Sequence, residues 1–171
     1  MKALLHATSL ALISLTLISC GFSLRGSADS ALSPETVFVR SAQENGQLTQ
    51  ALRTSLVNAQ MQLVQSASQA HYIVSVGPED FSTTTATVNG RARAAQYTLR
   101  LSVELALDTQ HQNLLTTERI AVERSYFEDT ANIAGSTREA DLLHNEMRQE
   151  LVNQILNRLR VVSAAQSAGA D

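Results

Sequence analysis

The sequence predicts an α+β domain: a two-layer sandwich in which a four-stranded mixed sheet carries two helices on one face, in the order β-α-β-β-β-α. Three observations predict it. From Gln96 to Leu107 every second residue is apolar, with polar residues between them save for Ala106, as in a long strand with one buried and one polar face. Two other segments repeat apolar residues every three or four positions, the period of an amphipathic helix. Between the later strands the links are hairpin-short: Asn89-Gly90, where both residues tolerate positive φ, and Asp108 to Asn113.

Taken in order, residues 1–19 read as a lipoprotein signal peptide. Lys2 precedes a largely apolar run from Ala3 to Ile18, broken by His6, Thr8, Ser9, Ser14 and Thr16. Such a run is too short and too interrupted to span about 30 Å of hydrocarbon as a lasting helix. It ends in Leu17-Ile18-Ser19-Cys20, which resembles a bacterial lipobox. Alkylation of the Cys20 thiol and cleavage before it would leave an acylated cysteine, and three acyl chains exceed the roughly two signals that stable anchoring needs. Gly21 follows the cysteine rather than an Asp, which favours delivery to the outer membrane.

Residues 20–35 read as an acylated tether. A first strand falls on Thr36 to Arg40, rich in β-formers. Asn45 is a candidate N-cap for a helix over 48–60, with Leu48, Leu52, Leu56 and Leu63 along its stripe. Tyr72 to Val76 is the second strand. It is interrupted at Gly77-Pro78, where a proline demands an edge, bulge or bend, and resumes from Phe81 to Val88. The alternating strand of Tyr97, Leu99, Leu101, Val103, Leu105 and Leu107 comes next. Glu118 to Phe127 alternates again, with Ile120, Val122 and Tyr126 on one side. Ser136 and Glu139 fit a capping box that opens a second helix through Leu143, Met147, Leu151, Ile155, Leu159 and Val162. The domain is thus predicted over 36–162, and residues 163–171 read as a disordered tail.

Composition narrows the function. Thirteen Lys+Arg against sixteen Asp+Glu give a formal charge of −3, so there is no overall electrostatic reason to bind nucleic acid. One cysteine excludes an internal disulfide, and the absence of Trp leaves little for base stacking. Removal of the leader would take the only lysine and leave arginine as the sole cation. No metal-ligand spacing, nucleophile elbow or phosphate loop occurs, so no metal, cofactor or catalytic activity is expected. His144, between Asp141 and Glu146, reads as a solvated helix face. Arg91 and Arg93 flank the hairpin tip and Arg138 precedes the second helix; guanidinium groups on such loops suit phosphate.

Cys20-Gly21-Phe22-Ser23-Leu24-Arg25-Gly26 resembles the start of the lipopolysaccharide-assembly lipoproteins of the LptE (RlpB) family. The likeness continues through Asn89-Gly90, Ala95-Gln96-Tyr97, Arg124-Ser125-Tyr126-Phe127-Glu128-Asp129 and the helix with Glu139-Ala140-Asp141-Leu142-Leu143. The resemblance implies a non-catalytic outer-membrane lipoprotein, held on the periplasmic side by its lipid anchor. Its implied partners are the LptD β-barrel, in whose lumen it would sit as a plug, and lipopolysaccharide, which it would help deliver to the outer leaflet. It also implies lipopolysaccharide binding by basic residues near the hairpin tip and before the last helix; here Arg91, Arg93 and Arg138 lie beside those positions. The other reading of the same features is an auxiliary lipoprotein of a phospholipid or small-solute transporter.

Overall fold

The structure, a computed structural model, describes residues 35–88, 94–129 and 132–168. The segments read as signal peptide and tether (the latter but for Glu35), Cys20, Arg91 and Arg93 lie outside these residues. The elements are β1 (Thr36–Ser41), α1 (Gln47–Asn58), β2 (Gln62–Leu63), a 3₁₀ turn (Ala67–Gln69), β3 (Tyr72–Val76), β4 (Asp80–Val88), β5 (Ala94–Asp108), β6 (Asn113–Asp129) and α2 (Ile133–Ala168).

β1 and β3 run parallel, with Val37 opposite Tyr72 and Ser41 opposite Val76, and α1 lies in the crossover between them. All pairings of β5 are antiparallel. Along one edge of β5, β3 and β4 lie end to end: Ile73–Val76 face Asp108–Leu105, and Asp80–Val88 face Ser102–Ala95. Along its other edge runs β6, from Ala94 opposite Asp129 to Asp108 opposite Asn113. The sheet is therefore mixed, and the predicted α+β class holds.

The strand count differs from four. Gln62–Leu63 adds a short parallel strand beside β1, because the chain leaving α1 turns back along it. The second strand divides in two at Gly77-Pro78-Glu79, since proline cannot donate to the ladder. Gly77 answers a second demand: it lies so close to β5 that a Cβ there would come within 3.2 Å of the Glu104 Cβ.

Helix boundaries also shift. α1 ends at Asn58 rather than residue 60. Gln60 adopts φ 67°, its N–H donates to Val57 O at 2.9 Å, and Met61 N–H donates to Leu56 O at 3.0 Å. This is a Schellman stop built on glutamine, with Met61 folded back into the core. Leu63 accordingly belongs to β2. No side chain caps the start of α1 locally, so Asn45 does not serve; Gly46 occupies the cap.

α2 begins before the proposed capping box. Asn132 accepts the Gly135 N–H on Oδ1 at 3.1 Å, which leaves Ser136 inside the first turns with its hydroxyl on Asn132 O. At its other end the helix continues to Ala168, so 163–168 are helical rather than a tail. Ala164, Ala165, Gln166 and Ala168 are all good helix formers.

The core lies between one sheet face and the two helices. Val37 and Val74, the odd-numbered β5 leucines from Leu99 to Leu107, and Leu52, Leu56, Met147, Leu151, Ile155 and Leu159 are fully buried. Each large aliphatic side chain contributes about 1.5–3 kcal/mol. Among the described residues no helix is long and apolar enough to cross a membrane.

Candidate functional site

With α1 and α2 on one face, the opposite face of the sheet is mostly polar, apart from buried Ile73 and exposed Phe127. Its side chains neutralise one another across the strands. Arg100 is ion-paired with Glu123. Arg119 reaches Asp80 Oδ2 at 3.2 Å and Glu104 Oε1 at 3.6 Å. Thr98 Oγ1 and Ser125 Oγ lie 3.5 Å apart. Of the polar residues expected on this face, Ser102 alone is buried; it sits in a hollow between Pro78, Asp80 and Arg119. A surface whose charges are already paired meets another polar surface without stranding an unpartnered charge.

Residues at one end of the sheet form a second surface. The β4–β5 connection begins after Val88, opposite Ala95, and ends at Ala94, opposite Asp129. α2 starts four residues past Asp129. Topology thus brings the connection that contains Arg91 and Arg93 and the start of α2, with exposed Arg138, to the same end. Beside them lies a pair that sequence reasoning did not single out. Tyr97 and Tyr126 face each other across β5 and β6, with rings stacked at 5.4 Å. The Glu128 carboxylate, accepting the Tyr97 hydroxyl, holds that phenol above its usual range. Burial, then the nearby Glu128 and Glu139 charges, raises Tyr126 as well. Their place in opposed alternating strands was the signal available for them. Arg124, exposed on the same strand, donates only to Glu123 O, at 2.9 Å.

Where β3 gives way to β4, Glu79 fastens the two layers. Its Oε1 accepts the Leu48 N–H at 3.3 Å, at the start of α1, and its Oε2 accepts Arg148 Nε at 2.8 Å. Arg148 Nη1 continues to Gln47 Oε1 at 2.7 Å and to Asn145 Oδ1 at 2.9 Å. His144 is not on a solvated face: it is partly buried and stacks on Phe81 at 4.0 Å, with Nε2 3.9 Å from Glu79 Oε2 and without a hydrogen bond. Burial and the Arg148 charge push its pKa below 6.5, opposed by Glu79 and Asp141. These groups hold the helices on the sheet. Among the described residues no group of three or more His, Cys, Asp or Glu could hold a metal ion.

The described residues thus form a one-sided α+β sandwich whose outer sheet face pairs charges across its strands. Residues 35–159 match the family model LptE, Lipopolysaccharide-assembly, and the chain belongs to that family. It is 25% identical to the LPS-assembly lipoprotein LptE of Pectobacterium atrosepticum, over 97% of this chain and 90% of that protein. Its fold is similar to that of rare lipoprotein B from Shewanella oneidensis, with a TM-score of 0.69 at 21% identity, covering 77% of this chain and 98% of that one. Lipoprotein B from Nitrosomonas europaea gives a TM-score of 0.65 at 24% identity, covering 87% and 94%.

Proposed function

We propose that this chain is a non-catalytic outer-membrane lipoprotein, anchored through acylated Cys20, that plugs the LptD β-barrel and assists its assembly. In that place it helps deliver lipopolysaccharide to the outer leaflet. Family membership over residues 35–159 is the observation that carries this reading. The self-neutralised sheet face supports the plug, because the lumen of a wide barrel is itself polar.

Arg91, Arg93 and Arg138 are proposed to hold lipopolysaccharide phosphates as guanidinium forks. Their support is the strand register, which gathers the β4–β5 connection and the start of α2 at one end. Depletion of the protein in cells tests the main reading: LptD should fail to mature and lipopolysaccharide should fail to reach the surface. Normal maturation and normal surface lipopolysaccharide in depleted cells would sink it. For the arginines, Arg91→Ala with Arg93→Ala should weaken lipopolysaccharide binding by the purified protein more than it weakens the complex with the barrel. Unchanged lipopolysaccharide binding would remove both residues from the site.

A further inference from the structure

The bare sheet face is not uniform. Next to the end of β3 it sinks into a hollow of about 380 Å³. The floor is made of small groups, Ser75, Gly77 and Ala106, with Arg40, Glu104 and Thr117 around it. Gly77 keeps the floor low by direct contact: its N–H donates to Glu104 O at 2.8 Å. Among the described residues, arginine is present three times on this face. Arg100 and Arg119 are each tied to carboxylates of the same face. Arg40 is exposed, and Nη1 reaches only the Ser75 hydroxyl, at 3.5 Å, the limit of a hydrogen bond.

A planar guanidinium fork whose only contact is a marginal neutral one, at the rim of a concavity floored by small side chains, is matched to a carboxylate. We propose that this hollow receives an Asp or Glu side chain projecting from the inner wall of the barrel partner, held by Arg40. The bare sheet face is then the surface that the chain turns to that wall. The inference rests on the plug reading and adds to it the docking face and the chemistry at its centre. Charge complementarity selects the occupant. The other described ionic groups of this face that flank the hollow satisfy one another, and Arg40 is the cation there that no described carboxylate holds.

The test uses the full-length acylated protein. Arg40→Glu should lower the barrel recovered with the tagged chain by about tenfold or more, as expected when one partner of a docked charge pair is reversed. Lipopolysaccharide binding by the purified variant should stay at the wild-type level. A photo-cross-linking residue at position 75, with Arg40 intact, should capture the barrel and so reports on the face even if the charge reversal disturbs folding. Unchanged recovery of the barrel with Arg40→Glu overturns the proposal, as does a position-75 probe that never captures the barrel. Loss of lipopolysaccharide binding with barrel recovery intact overturns it too, and assigns Arg40 to the lipid. If the wild-type chain recovers no barrel at all, the plug reading falls and takes this one with it.

Discussion

Glu79 and Arg148, 69 residues apart in sequence, meet at 2.8 Å between carboxylate and guanidinium, in the seam where α1, α2 and the β3–β4 break converge. Both side chains are largely buried, at 13% and 15% exposure. Removing one partner of such a pair leaves the other charge without compensation, at a cost on the order of 3 kcal/mol. Glu79→Ala also strips the acceptor from the Leu48 N–H at the start of α1. Arg119→Ala breaks ion pairs whose members are all more than half exposed, and its cost should stay below about 1 kcal/mol. Denaturant titration of the two variants checks the contrast; equal losses would mean that the seam is no more than a surface contact.

His144 should make the domain sensitive to acid. Its folded pKa lies below the ordinary 6.5, so the folded state binds fewer protons at this site than the unfolded state does. Above the unfolded value both states are neutral here and nothing changes. As pH falls through about 6.5 toward the folded value, stability is lost, and below that value the loss levels off. His144→Phe keeps a ring against Phe81 and removes the titration. Melting curves from about pH 8 to about pH 5 should show the wild type losing ground to the variant only on the acid side. Parallel curves would clear His144 of the effect.

Gln60 holds a left-handed conformation that glycine adopts without cost. The two Schellman hydrogen bonds at 2.9 and 3.0 Å do not involve its side chain, so Gln60→Gly keeps the stop and relieves the strain. The variant should gain about 1 kcal/mol, less the extra freedom glycine brings to the unfolded chain. A thermal midpoint below that of the wild type would contradict this.

Legibility in the sequence followed the range of the interactions. β5 was readable because a face buried along its whole length forces an apolar residue at every second position, and both helix stripes were readable for the same reason. The break at Gly77-Pro78 was also visible, since proline leaves a local mark. Glu79 was not, because its partners Leu48 and Arg148 lie far off in sequence and a lone acid after a proline carries no pattern. Gln60 as a helix stop escaped because glycine is the usual signal there. The cap at Asn132 was masked by the better-known Ser136–Glu139 spacing. For the candidate site, the hairpin signal placed Arg91 and Arg93 in a connection and the apolar stripe placed Arg138 in the loop before the second helix, whereas the structure has Arg138 inside α2 because that helix already starts at Ile133. That the β4–β5 connection and the start of α2 lie at one end of the sheet emerges only from the strand register.

The same register gives a paired test of which β5 face is which. Leu101 is fully buried, opposite Phe81 on one side and Val122 on the other, under the helical layer. Leu101→Asp places a carboxylate in the aliphatic core, and the cost exceeds what a domain of this size can absorb. Thr98 lies three residues away on the opposite face, against Ser125 and next to the arginine of the Arg100–Glu123 pair. A carboxylate there stays hydrated and gains a cationic neighbour. Thr98→Asp should therefore yield soluble protein with a native circular-dichroism spectrum, whereas Leu101→Asp should yield none. Because side chains alternate with a period of two, a one-residue slip in register would exchange these outcomes. A folded Leu101→Asp chain would show that β5 buries the other face.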